Sequence, residues 1–170
     1  SVVSMSTWID QAAAVLEGWL LGQASGGALA DLLVGRANPS GKLAETIPMR
    51  LQDTPCHLSF PGEDSRVRYG EGIFVGYRHY DAVEREVAFP FGHGLSYTTF
   101  EHRDLRVTAL DAEPEVSPMV SERLAITLTV TNTGAVTGKE TVQVYVGDPE
   151  ARVVRPVREL KAFAKVELAP

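Results

Sequence analysis

Cys56 is the one cysteine in this chain, so no intrachain disulfide can form. Positive charge is scarce: 16 Lys and Arg stand against 22 Asp and Glu, for a net charge of -6, and no basic run occurs. Phosphate backbones are bound by clustered cations, so a nucleic-acid partner is not expected. Long apolar runs are missing too. The most apolar stretch, Ala12 to Leu21, is broken by Glu17 and Gly18. A membrane span needs about 18 or more such residues, so no membrane partner is expected either. His57, His79, His93 and His102 show no metal-ligand spacing with Cys56 or with one another. Gly70-Glu71-Gly72 lacks the third glycine of a phosphate loop, and Ser96 lacks the glycine two residues later that a nucleophile elbow needs. No metal or organic cofactor is implied. Internal repeats and low-complexity tracts are also lacking.

What is present divides into three zones of different composition. Residues 1–50 are rich in Ala, Leu and Gly. Residues 51–100 are irregular and hold most of the aromatics. Residues 101–170 are rich in Thr and Val. In the first zone the apolar run Ala14–Leu21 reads as a buried strand. Ala24, Ala28, Leu29, Leu32 and Leu33 then recur at helical spacing, with Gly35 where a C-terminal cap belongs. Gly26 and Gly27 weaken that helix, which suggests close approach to a neighbouring strand. Asn38-Pro39-Ser40-Gly41 has the chemistry of a turn. Lys42–Ile47 reads as a short extended piece ending at Pro48.

In the last zone the period falls to two. Leu105, Val107 and Ala109 form one series. Leu124, Ile126, Leu128 and Val130 form a second, Val142, Val144 and Val146 a third, and Leu160 to Leu168 a fourth. Asn132-Thr133-Gly134 interrupts the second and third. Alternation of this kind predicts half-buried antiparallel strands of a β-sandwich. Such a sandwich has about seven strands, so about four suggest a chain cut at this end, as the non-methionine Ser1 suggests at the other.

The motifs "AVLEGWLLGQASGGALADLLVGRANPSGKLAETIP", "VRYGEGIFVGYRHYD", "FPFGHGLSYTTF", "LTVTNTGAVTGKETVQVYV" and "RELKAFAKVELAP" follow one another in this order. Together they resemble glycoside hydrolase family 3, whose members are β-glucosidases, β-xylosidases and relatives. The resemblance covers essentially the whole chain. It implies a mixed α+β fold: a partial α/β sandwich piece over residues 1–50, a loop-rich connector over 51–100, and an incomplete fibronectin type III-like antiparallel β-sandwich over 101–170. The N-terminal barrel of such enzymes, and the rest of the α/β domain, would be partners missing from this chain. Family members often read Gly-Gln-Glu-x-Gly where this chain has Gly22-Gln23-Ala24-Ser25-Gly26, so Ala24 cannot do what an acid does there.

The family uses a retaining mechanism with two carboxyl groups about 5–5.5 Å apart. By resemblance, both the nucleophile and the acid/base lie upstream of Ser1, and no position here matches either motif. Glu71 and Asp81 stand ten residues apart, roughly 33 Å along an extended strand, and nothing fixes them as a pair. Glu71 is expected to accept hydrogen bonds from backbone or from Arg68 or Arg78. Rings in a Gly/Pro-rich connector more often pack between domains than stack on sugars; Trp8 and Trp19 are read the same way. Tyr69, Glu71, Tyr77, Arg78, Phe91 and Tyr97 are therefore the candidate domain-interface residues. The expected function is the non-catalytic end of a glycosidase acting on terminal β-linked glucose or a related sugar, with a carbohydrate substrate. The competing reading is a stand-alone carbohydrate-binding or adhesion module. Cytoplasmic and secreted locations are equally open.

Overall fold

The computed structural model describes residues 3–110 and 123–170. The first helix, α1, spans Ser25–Leu33. It ends as its sequence predicts. Gly35 takes a left-handed φ of 75°, and its N–H donates to the Leu32 carbonyl at 3.1 Å. That conformation is cheap only without a Cβ. None of the α1 residues is buried. A Cβ on Gly26 or Gly27 would meet open space, so the close approach to a strand expected there is not found.

The strand expected over Ala14–Leu21 is also not found; the segment is irregular and Leu20 is 96% exposed. Two local causes are visible. Trp19 has a φ of 51°, which is incompatible with a strand. Its N–H donates to Glu17 Oε1 at 2.8 Å, a local bond that competes with a ladder. The reversal expected at Asn38–Gly41 falls earlier, at Val34–Ala37, and residues 38–43 run without regular structure. Leu43 is anchored by its backbone instead: its N–H donates to the His93 carbonyl and its carbonyl accepts from Gly92, both at 2.8 Å. The extended piece shortens to β1 (Ile47–Pro48), which pairs antiparallel with β2 (Val87–Phe89). Between them lie a 3-10 turn, Leu51–Asp53, and the second helix, α2, Tyr77–Ala82.

The period-two zone forms strands where the alternation predicts them. β3 (Phe100–Leu110) pairs antiparallel with β4 (Arg123–Asn132), and β5 (Gly138–Val146) with β6 (Glu159–Leu168). The β3–β4 register slips between Arg103 and Arg106, where Asp104 takes a φ of 54°; this is a bulge. At the break after β4, Asn132 Oδ1 accepts from Gly134 N–H at 3.1 Å and Nδ2 donates to the Val136 carbonyl at 2.8 Å, so the side chain itself shapes the turn.

The described core is very small. Met5, Ile47 and Tyr80 are its buried apolar residues. The accessible surface is 12,928 Å², whereas a folded monomer of 18.4 kDa exposes about 8,200 Å². The excess is about 4,700 Å² on that scaling.

Candidate functional site

The connector aromatics converge on α2. Gly76 enters the helix at a φ of 54°. Side chains four apart share a helix face, so Tyr77 and Asp81 point together toward β5 and β6. Tyr77 stacks on Phe91 with centroids 4.8 Å apart and meets Tyr145 edge-on at 5.8 Å. Its hydroxyl accepts the Leu160 N–H at 2.7 Å. One turn on, both Asp81 oxygens accept from Arg158: Nε to Oδ2 at 2.7 Å, Nη2 to Oδ1 at 3.3 Å. That hydrogen bond strengthens the hold of Arg158 on its proton. The Arg158 guanidinium also lies 5.3 Å from the Tyr145 ring centroid, a cation–π distance. Burial pushes the Tyr145 phenol above its ordinary pKa, with Tyr77 adding to the effect. A small cleft of about 40 Å³ remains among Thr46, Tyr77, Asp81, Phe91, Tyr145 and Arg158. It has room for water and none for a sugar ring.

Glu159 gathers the neighbouring cations, with Lys161 at 3.2 Å, Arg155 at 3.4 Å and Arg78 at 3.6 Å. The Lys161 hydrogen bond, helped by these charges, lowers its pKa. Behind α2, the buried Asp53 carboxylate accepts from Arg50 at 2.8 Å and lies 3.6 Å from Arg85. The Arg50 hydrogen bond draws the Asp53 pKa below its usual value.

A second joint is built on Asn38. Its Oδ1 accepts from Ser96 Oγ at 2.9 Å and from Tyr97 N–H at 2.8 Å, and its Nδ2 donates to the Thr137 carbonyl at 3.0 Å. The Tyr97 hydroxyl donates to the Leu32 carbonyl at 2.8 Å, at the end of α1. A Cβ on Gly138 would sit 2.7 Å from Thr98 Cγ2 and 2.9 Å from Asn38 Nδ2, so only glycine fits. Further along β5, Glu140 lies 3.4 Å from Lys42 and 3.8 Å from His102, and Gln143 Nε2 donates to the Gly92 carbonyl at 3.1 Å. Lys165 on β6 donates to the Ser40 carbonyl at 2.9 Å. Each of these links between residues 38–94 and strands β5 and β6 uses at least one side chain.

Of the six candidate residues, Tyr77, Arg78, Phe91 and Tyr97 lie in these joints. Tyr69 does not: it is 90% exposed and has no polar or ring contact among the described residues. Neither Arg68 nor Arg78 pairs with Glu71; the carboxylate that Arg78 meets is Glu159. This departs from the expected partners of Glu71, because the α2 face that carries Arg78 turns toward β6. Asp81 is taken up by Arg158, so Glu71 and Asp81 form no acid–base pair. Asn38, Arg158, Glu159 and Tyr145 were not legible as joint residues. Their partners lie 58 to 99 residues away for Asn38 and 77 away for Arg158, and no local pattern signals such a distance. Among the described residues no group of His, Cys, Asp and Glu could hold a metal ion, and no helix is long and apolar enough to cross a membrane.

Residues 1–97 match the glycosyl hydrolase family 3 C-terminal domain, and residues 140–170 the fibronectin type III-like domain. Thermostable beta-glucosidase B of Acetivibrio thermocellus is 53% identical over 163 residues, 96% of this chain and 21% of its own length. The exo-alpha-(1->6)-L-arabinopyranosidase of Bifidobacterium longum is 47% identical over 99% of this chain and 21% of its own. The crystal structure of the Bifidobacterium adolescentis GH3 beta-glucosidase superposes with a TM-score of 0.89 at 50% identity, over 99% of this chain and 24% of that one. The glucose complex of beta-glucosidase 3B from Thermotoga neapolitana gives 0.87 at 41%, over 100% and 23%. The chain thus spans about a fifth of the length of the curated relatives it matches. With a family match over more than half of its residues, the chain belongs to glycosyl hydrolase family 3.

Proposed function

We propose that this chain is the non-catalytic C-terminal part of a retaining glycosidase that removes terminal β-linked glucose, or a related sugar, from glycosides or oligosaccharides. The observation that carries the reading is the coverage: 96% of this chain aligns to only 21% of a thermostable β-glucosidase. The site chemistry supports it. Asp81 is engaged by Arg158, and the small cleft beside it offers no sugar a place. The barrel and the remainder of the α/β domain, in the same polypeptide, would supply both carboxyl groups. Residues 1–50 then end the α/β domain, 51–100 connect, and 101–170 begin the fibronectin-like domain. Tyr77, Arg78, Phe91 and Tyr97 act as the mortar between them.

Sugar specificity lies outside this segment. It is about as similar to an α-L-arabinopyranosidase, at 47% identity, as to β-glucosidases at 48–53%. The test compares two proteins on an aryl β-glucoside. The full-length gene product hydrolyses it with retention of anomeric configuration, and the 170-residue chain leaves it untouched. Hydrolysis by the short chain that is lost in Glu71→Gln would overturn the reading. Saturable binding of gluco-oligosaccharides by the short chain, without turnover by the full-length product, would replace it with a binding module.

A further inference from the structure

We propose that the small cleft beside α2 is a site for one halide-sized anion, held by the hydroxyls of Thr46, Tyr77 and Tyr80 and by the guanidiniums of Arg85 and Arg158.

The cleft brings these side chains to one place: all five line it, together with Asp81. Thr46 and Tyr80 are each 6% exposed, so their hydroxyls must find partners within the fold. Thr46 Oγ1 accepts the Phe91 N–H at 3.3 Å, and Tyr77 Oη accepts the Leu160 N–H at 2.7 Å. Each oxygen serves as an acceptor, and its own proton is left over. The Tyr80 hydroxyl makes no hydrogen bond among the described residues. Burial, with Asp53 and Cys56 nearby, pushes the Tyr80 phenol above its ordinary pKa, so it keeps its proton at neutral pH. Three O–H donors on one cleft thus lack an acceptor among the described residues. Buried donors are seldom left in that state.

The charges point the same way. Asp81 is the one carboxylate among the lining residues, and both its oxygens are held by Arg158. Asp53, the partner of Arg85, is held more closely by Arg50, at 2.8 Å against 3.6 Å. Three guanidiniums therefore meet two carboxylates. One positive charge is left, and Arg85 has the weaker hold on its partner.

An anion fits this inventory better than water does. Water could accept from the three hydroxyls, but each molecule brings two protons of its own that need acceptors. An anion accepts from all three, brings no proton and balances the charge. The volume sets its size. About 40 Å³ is a few times what one water needs, enough for chloride or bromide and too little for a phosphorylated sugar.

Thermal melts of the full-length protein test this, in sodium chloride and in sodium methanesulfonate at equal ionic strength. A ligand that binds only the folded state raises the Tm in a saturable way. The Tm is expected to rise with chloride and not with the larger methanesulfonate. Tyr80→Phe and Thr46→Val each remove one O–H donor and are expected to lose most of that rise. Equal Tm in the two salts would overturn the proposal, as would a chloride response that both variants keep in full. Crystals of the full-length protein grown in sodium bromide give a second reading, which still decides if either variant fails to fold. An anomalous peak within hydrogen-bond reach of Tyr80 Oη and Thr46 Oγ1 is expected. Water alone in the cleft would overturn the proposal. A bromide peak without any chloride effect on the Tm would mark an adventitious ion only, and would overturn it too.

Discussion

Arg158 closes a two-pronged hydrogen bond on Asp81 across 77 residues of chain, with Nε 2.7 Å from Oδ2 and Nη2 3.3 Å from Oδ1. It ties α2 to the start of β6 while its guanidinium covers Tyr145. Lysine offers one point charge and no planar fork. Arg158→Lys in the full-length protein is therefore expected to cost about 1 kcal/mol, a modest figure because the pair is partly solvated. Urea unfolding at neutral pH measures it. An unchanged midpoint would show that the pair contributes nothing net.

Tyr77 carries two separable interactions. Tyr77→Phe keeps the stack on Phe91 and removes the acceptor for Leu160 N–H, at an expected cost of about 1 kcal/mol. Tyr77→Ala removes both and is expected to cost about 3–5 kcal/mol, as for other large aromatic truncations. Equal losses in the two variants would place all the stabilisation in the hydroxyl.

Asn38 is expected to tolerate no isostere fully. Asn38→Asp keeps the acceptor for Ser96 and Tyr97 but loses the donor to the Thr137 carbonyl, leaving an anion facing that oxygen. The expected loss is about 1–3 kcal/mol. Gly138→Ala strikes the same joint from the β5 side and is expected to cost about 1–3 kcal/mol by overpacking. Because both changes disturb one contact, their combined effect is expected to be smaller than the sum. Thermal melts of the two singles and the double variant test this.

Asp53 and Glu159 make stability pH-dependent in a fixed direction. Both carboxyls have lowered pKa values in the fold, Asp53 through Arg50 and Glu159 through Lys161. A depressed folded pKa gives stability that is complete above the unfolded value and lost as the pH falls through the folded one. The Tm gap between wild type and Asp53→Asn is thus expected to be widest near neutrality and to close below about pH 4, where an unfolded aspartate protonates. A gap that widens on acidification would reverse the sign and reject the argument.

Much of the strand zone was legible because alternation of Thr with Val and Leu marks an extended chain, although the half-burial expected with it is missing along β3, which is exposed on both faces from His102 to Leu110. Gly35 was legible because one position past a helix asks for a residue without a Cβ. Ala14–Leu21 misled because apolar content marks a segment for burial without saying in what conformation, and Glu17 offers Trp19 N–H a local acceptor. The joints were the least legible part. Asn38 beside a proline looks like a turn residue, and its role appears only when residues 96, 97 and 137 are brought to it. Tyr69 and Tyr77 share one motif, yet one faces out and the other in, because Tyr77 opens α2 and Tyr69 lies outside it.

The strands of residues 100–168 pair as hairpins with their sequence neighbours, while the links from β5 and β6 back to residues 38–94 run through side chains. A seam of that kind behaves like a row of buttons on two separately woven cloths. Pulled apart at its ends, the molecule would part along the seam before either hairpin unravels. In inheritance the same property makes the two sides exchangeable: a handful of compensating substitutions at Asn38, Tyr77, Asp81, Gln143 and Arg158 could refit one side to a new partner, with no β-ladder to re-register.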